Sequence, residues 1–328
     1  MNTPKRQHII PCMHLRHFTG ADPEGHVWNY DALSARRWSA TPENTAVEGH
    51  FYSGERADGT MDTTIEELFA GIENLAMPTY EGLLHGEIPN RSQERMNFAH
   101  FLGVMHCRTR VMRRMAAETA GRFKQIMLYA NAKHPDAFDR SVRDYERELG
   151  RQLTLEERED TRRAMLDPSG YEFTIPKEET FAVIPAADQL APIFFEMRWW
   201  TFTAVAGFFI TSDNPLVRWV DPDTCHAIYG DHGFLNKTVE VTFPLSPRKL
   251  LLMCWSAADL PEDVGQEFTR HANMIRASQS DQFLYAHQND DEIARLAAEF
   301  RDSRPTMTTQ GFGPRKFGPV RLQRRREK

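Results

Sequence analysis

The sequence predicts an α+β fold, a helical majority packed on a small antiparallel or mixed β-sheet. Two observations carry this. Apolar residues recur at helical spacing over long stretches, as in Ile65, Leu68, Phe69, Ile72, Leu75 and Ala76. Between residues 199 and 255, and again at Phe283-Leu284-Tyr285-Ala286, the runs are instead β-branched and aromatic and are bounded by turn formers. With 328 residues, 41% of them hydrophobic and 11% aromatic, the chain has ample material for a sizeable core, and disorder as the global state is excluded. The expected organisation is one α+β domain over 1–304 with a charged helical arm near 136–166, followed by a basic, disordered tail over 305–328.

Taken in order, His26 to Asp31 alternates like a half-buried strand, with Ser34 to Trp38 as its hairpin partner. Pro42 to Tyr52 reads as one short helix ending at a glycine. Asp62-Thr63-Thr64-Ile65-Glu66-Glu67 is a helix start, since Asp or Thr caps free amides and the glutamates sit at the positive end of the dipole. Glu66 and Glu73, seven residues apart, project from one edge of that helix. A helix beginning at Ser92 runs toward Tyr129 and sets His106, Arg110 and Arg114 one turn apart as a basic ridge. His134-Pro135 interrupts it, and Asp136 to Arg163 follows as an exposed helical hairpin laced with weak ion pairs. Lys177 to Met197 is helical. Residues 198–205 and 207–212 read as adjacent strands, the second stopped by Ser212-Asp213-Asn214-Pro215. A second hairpin pairs 238–243 with 250–255, and helices over 262–281 and 290–300 flank the last strand at 283–286.

Charge and cysteine content narrow the function classes. The formal charge is −6, yet the stretch from Arg315 to Lys328 holds seven basic residues against Glu327, so the rest is distinctly acidic. An acidic body argues against broad nucleic-acid coating, whereas the basic tail suits an acidic partner. Cys12, Cys107, Cys225 and Cys254 are widely separated and form no metal or redox pair. The opening residues lack the apolar run of a secretory leader and no window is long enough to span a bilayer. A soluble cytoplasmic protein with no membrane attachment is the expectation.

The motifs of P-loop, Rossmann, serine-hydrolase and zincin chemistry are missing. The stretch Gln7 to Phe18 concentrates His8, His14 and His17 beside Pro11 and Arg16. A divalent metal is the one cofactor these residues suggest, but their spacing names no complete ligand set. A metal-free arrangement uses a histidine as general base and an arginine to hold an anionic centre, and His8, His106, Arg108 and Arg110 supply those types. Asp213 and Asn214, at a strand end, are further site candidates.

Five pieces come in a recognisable order. They are His8-x-x-Pro11 with Leu15-x-x-Phe18, Ala46-Val47-Glu48-x-x-Phe51-Tyr52, Arg108-Thr109-Arg110, Ile210-Thr211-Ser212-Asp213-Asn214-Pro215 and Pro244-Leu245-Ser246-Pro247. Together they resemble the bacterial family of unknown function numbered 4238, from about His8 to Ala286. The resemblance implies that His8, Pro11, Phe18, Glu48, Tyr52, Glu73, Arg108, Asp213, Asn214, Pro215 and Ser246 are motif positions, and it implies no activity. Ile9, in place of an aromatic, and the polar Arg16-His17 depart from the family pattern.

The expected function is an intracellular hydrolase acting on a phosphodiester of RNA or a nucleotide. His8 is the base, Arg108 holds phosphate, and Asp213 or Glu73 orients the histidine or a metal, with Asn214 beside them. The alternative is a non-catalytic sensor or interaction module that uses the helical arm and the basic tail. A small-molecule binding protein built on the Met- and Phe-rich interior is a third reading.

Overall fold

In a computed structural model, residues 6–20, 25–49, 64–221, 233–256 and 260–302 are described. The opening run forms a short strand, β1 (Arg6–His8), and passes through Pro11 into a helical turn, α1 (Cys12–Arg16). Pro11 precedes the first helical residue, where its missing N–H leaves no ladder bond unmade. The expected hairpin is present as β2 (Val27–Asp31) and β3 (Arg37–Ala40). Its second strand starts at Arg37 because the Asp31 carboxylate accepts from the Leu33 and Ser34 amides and from the Ser34 hydroxyl, which holds those residues in the turn. The helix expected from Pro42 is a correction. Residues Pro42–Asn44 make one 3-10 turn, Ala46 then takes φ 53°, which a right-handed helix does not allow, and β4 (Val47–Gly49) follows. β4 pairs antiparallel with β1, Gln7 opposite Glu48 and His8 opposite Val47. Phe51, Tyr52 and the capping residues Asp62 and Thr63 lie outside the described residues, as does the tail.

Helix α2 (Thr64–Leu84) buries Phe69, Ile72, Ala76, Thr79, Tyr80 and Leu83. Leu68 and Leu75, expected in the buried stripe, are more than half exposed. The buried face therefore centres on the Phe69–Ile72–Ala76 line and continues to Tyr80. Helix α3 (Gln93–Cys107) starts where Ser92 accepts from the Arg95 amide and is buried over most of its surface from Phe98 to Cys107, as a central helix is. It does not run on to Tyr129. Arg108 ends it, and Thr109, extended at ψ 157°, caps a new helix, α4 (Arg110–Lys133), by accepting from the Met112 amide. The charged arm is a helical hairpin, as expected: α5 (Pro135–Leu149) turns at Gly150, φ 68°, into α6 (Leu155–Leu166), whose Thr154 and Glu157 form a reciprocal capping box. The arm is tied to α4 where Arg162 donates to the Ala132 carbonyl.

After α7 (Lys177–Thr180) and a 3-10 turn, α8 (Ala186–Glu196) packs along α3, and the chain enters β5 (Arg198–Ala204). The remaining elements are β6 (Thr211–Ser212), β7 (Val217–Trp219), β8 (Glu240–Ser246), β9 (Lys249–Cys254), β10 (Asp263–Val264), α9 (Gln266–Gln279), β11 (Phe283–Ala286) and α10 (Asp291–Glu299).

The strands form more than one sheet. A five-stranded mixed sheet runs β10-β5-β9-β8-β7, with only the β10–β5 pair parallel, and a four-stranded antiparallel sheet runs β3-β2-β11-β6. The expectation of one small sheet, with residues 198–205 and 207–212 as adjacent strands, is thus corrected. Residues 205–210 carry the chain between sheets. There Arg248 donates to the Ala204 and Gly207 carbonyls, Phe209 donates to the Pro247 carbonyl, and the Asn273 amide group bonds both Ile210 N and the Phe208 carbonyl. Gly207, φ 72°, is required at this crossing because a Cβ would lie 2.3 Å from the Thr269 hydroxyl.

The core has a simple logic. One face of the five-stranded sheet, with Trp199, Val241, Phe243, Leu245, Leu251 and Met253, packs on α2, α3 and α8. The opposite face, with Phe202, Leu250, Leu252 and Val264, packs with Phe209 and with Ala272 of α9. Burial on both faces explains why these strands read as near-continuous apolar runs. The four-stranded sheet has its own cluster, in which Tyr30, Ile210 and Leu284 meet Ala277, Ile293 and Leu296. Among the described residues no helix is long and apolar enough to cross a membrane.

Candidate functional site

The opening motif supplies a buried polar knot. Arg108, the residue that ends α3, has only 4% of its side chain exposed. It donates Nη1 to Glu73 Oε1 at 2.7 Å and Nη2 to the His8 carbonyl at 2.6 Å, and its guanidinium lies 4.5 Å from the centre of the Phe69 ring. Three of the expected site residues, His8, Glu73 and Arg108, are therefore brought together, and Arg108 is committed to internal partners. His8 Nε2 is buried without a hydrogen-bond partner, and burial lowers the histidine pKa against the opposing effect of a backbone hydrogen bond at Pro42.

His14 and His17 have different surroundings. His14 is wholly buried, with Nδ1 2.9 Å from the Tyr80 hydroxyl and Nε2 2.9 Å from Thr211 Oγ1. The Tyr80 hydroxyl gives its one proton to the Leu245 carbonyl at 2.7 Å, so His14 donates through Nδ1 and accepts from Thr211 at Nε2. Burial holds this imidazole well below its ordinary pKa, in the neutral form that such bonding requires. His17 stacks on the Tyr80 ring at 4.8 Å. The three histidines do not converge, and among the described residues no group of His, Cys, Asp and Glu is arranged to hold a metal ion.

Asp213 and Asn214 stand apart from that knot. Asp213 is 1% exposed and accepts from three successive amides, Asp281 N at 2.9 Å, Gln282 N at 2.8 Å and Phe283 N at 2.9 Å. Burial pushes its carboxyl up to about 6, against the pull of those amides. Asn214 donates to the Gln279 carbonyl. Both residues hold the turn between α9 and β11, and Asp281 of that turn pairs with Arg114, a residue of a nearby cleft.

This cleft, of about 400 Å3, is lined by Glu48, Arg110, Arg113, Arg114, Ala117, Ile175 and Thr180. Its three arginines come from the first turns of α4, where the helix dipole adds positive potential. Arg110 donates Nε to Glu48 Oε2 at 3.0 Å and lies 5.5 Å from the Phe283 ring centre. Arg113 donates Nε to the Thr180 hydroxyl at 3.3 Å and lies 5.4 Å from the Phe181 ring centre. Arg114 pairs with Asp281, whose own amide is one of the three that Asp213 binds. The lining holds three guanidinium groups and the carboxylate of Glu48, and outside the lining Asp281 and Glu118 pair with Arg114. Planar guanidinium groups converging on one opening are suited to an oxyanion such as phosphate.

Sequence reasoning placed Arg110 and Arg114 on a ridge with His106 and missed Arg113 and Thr180. His106 belongs instead to α3, where its ring meets Phe234 edge-on and its Nδ1 is buried without a partner. The available signal was Thr109 in Arg108-Thr109-Arg110, a capping residue that ends one helix and opens the next. A second groove, of about 440 Å3, lies between α9 and α10, where Arg270 and Arg295 face Asp290, Glu292 and Glu299. Its two arginines face three carboxylates, a negative surplus that does not suit an anionic ligand.

Glu48 and Arg110, both in motif pieces noted above, line the cleft, while Asp213 binds the amide of Asp281, the partner of Arg114. No curated protein and no solved structure matches the chain. A family model described as "Protein of unknown function (DUF4238)" matches residues 6–290, a span that holds the opening motif, the arginine cleft and the Asp213 turn. The chain belongs to that family.

Proposed function

We propose that this protein binds a phosphate-bearing ligand, a nucleotide or a short segment of RNA, in the arginine cleft. The observation that carries the reading is the convergence of Arg110, Arg113 and Arg114 on one opening at the start of α4. Glu48 and the Thr180 hydroxyl add one acceptor and one further polar group for orientation. A reducing compartment for such a ligand is supported by the free thiols of Cys12, Cys107 and Cys254.

Hydrolysis of the bound phosphodiester is an extension of this reading. The geometry favours binding over the His8-centred form of that chemistry for two reasons. Side chains alternate along a strand, and the β1–β4 register puts His8 and Glu48 on opposite faces of the ribbon. Arg108 is also enclosed by Glu73, the His8 carbonyl and Phe69.

Calorimetric titration with inorganic phosphate, a mononucleotide and a short RNA tests the reading, with product analysis of the same mixtures for hydrolysis. Arg113→Ala removes a guanidinium while leaving the Arg108 knot intact. It is expected to weaken binding by about 10- to 100-fold, the effect of losing a charge-assisted hydrogen bond. Unchanged affinity in that variant, or no binding of any of the three ligands to the natural chain, overturns the proposal.

A further inference from the structure

The four-stranded sheet carries a row of aromatic side chains beside the arginine cleft. Trp38 lies opposite Asn29 and Asn29 opposite Tyr285, so Trp38 and Tyr285 share one face of the sheet. Phe283, two residues before Tyr285, shares it too. Their rings meet in order. Tyr285 and Phe283 are nearly parallel, 15° apart with centres at 6.3 Å, and Trp38 meets Phe283 edge-on at 6.2 Å. Burial falls along the row. Tyr285 is enclosed, Phe283 is half-buried, and Trp38, on the edge strand β3, is 38% exposed.

Arg110 joins this row to the cleft. Its guanidinium lines the opening and also lies 5.5 Å from the centre of the Phe283 ring, while the bond from its Nε to Glu48 fixes its direction. One phenyl ring therefore separates a cleft cation from an exposed indole. A nucleotide has the same layout, an anionic phosphate and a flat aromatic base separated by one sugar ring. Inorganic phosphate would use only the cationic end, and a duplex keeps its bases inside the stack. An exposed tryptophan stacks on any unpaired base, since every base has a π-face. We infer that Trp38, braced by Phe283, is a nucleobase subsite, and that the cleft takes a single unpaired nucleotide with its base on Trp38 and its phosphate on Arg110. The inference rests on the cleft binding phosphate, and it assigns the remainder of the ligand.

Titration of the full chain with adenosine monophosphate, ribose phosphate and inorganic phosphate separates the base from the phosphate. The natural chain is expected to bind adenosine monophosphate about 10-fold or more tighter than ribose phosphate, the weight of one stacked base. Trp38→Ala is expected to remove that advantage and to leave the affinities for ribose phosphate and inorganic phosphate unchanged, which also shows that the variant keeps its cleft. Trp38→Phe retains a ring and is expected to keep most of the advantage. Equal affinities for adenosine monophosphate and ribose phosphate in the natural chain, or an advantage that survives in Trp38→Ala, overturns the base subsite and leaves the phosphate cleft standing. A Trp38→Ala chain that loses all three ligands alike gives Trp38 a structural role and overturns the subsite as well. A natural chain that binds none of the three overturns the cleft and the subsite together.

Discussion

At the scale of single residues, burial has moved a set of histidines in one direction. His8, His14, His17, His106 and His287 all lie below their ordinary pKa, with desolvation as the leading cause in each, and His106 reaches about 4. A histidine whose folded pKa lies below its unfolded value of about 6.5 takes up its proton more readily when the chain is unfolded. Its stability contribution is therefore complete above about pH 6.5 and is lost as the pH falls toward the folded value. Asp213 acts in the opposite sense. Its carboxyl is raised to about 6, so its contribution is complete below the ordinary carboxylate value and is lost as the pH rises through about 6. One carboxyl cancels only part of the effect of five imidazoles. Urea denaturation is expected to show stability falling with acidification below about pH 6.5, by up to about 1.4 kcal/mol per pH unit for each histidine fully engaged. His14→Gln keeps a donor for Tyr80 and an acceptor for Thr211 but removes the proton site, and should make that slope shallower. An identical slope in the variant would remove His14 from the set.

At the scale of elements, the contact of α3 with α8 is set by one glycine. A Cβ on Gly103 would stand 2.8 Å from the Ala187 carbonyl oxygen, a backbone atom that cannot swing aside. Alanine in a helix interior normally gains about 1 kcal/mol over glycine. Here overpacking of the close approach outweighs that gain, and Gly103→Ala is expected to cost about 1–2 kcal/mol net. Its urea midpoint checks this, and a stabilised variant would mean that α3 and α8 separate without penalty. The same distinction between local and distant causes decides what the sequence made legible. The arm could be read from His134-Pro135, and the β8–β9 hairpin from Pro244 to Lys249, because the signals lie within the elements they shape. The placing of β5 and β6 in different sheets could not, because it depends on Arg248 and Asn273 reaching carbonyls more than 40 residues away. The site divides in the same way. Asp213 and Asn214 stood out as polar groups at the end of an apolar run, but the amides that Asp213 binds lie about 70 residues downstream. The cleft needs Glu48 to meet Arg110 across 62 residues and Thr180 to meet Arg113 across 67, and no spacing rule connects them.

At the scale of the whole molecule, the cleft gathers three arginines in a chain that is negative overall. The chain carries −6 overall, and seven of its basic residues lie at 315–328, so the rest of the chain is more acidic than the total suggests. A long polyanion entering the cleft gains attraction from the three arginines and meets repulsion over the rest of its length. Affinity should accordingly level off near the size of one nucleotide and not climb with RNA length. The salt dependence gives a number for the same argument. Contact of three cations with a single strand gives a slope of log K against log salt of about −2, and Arg113→Ala should reduce it by about 0.7. Titrations of a mononucleotide and of RNA oligomers of increasing length, each at several salt concentrations, measure both quantities. A much steeper slope that grows with RNA length, and falls to about −2 when residues 303–328 are removed, would transfer the nucleic-acid contact from the cleft to the basic tail. Such a result would favour the interaction-module reading, because affinity supplied by the tail would not require the arginine convergence.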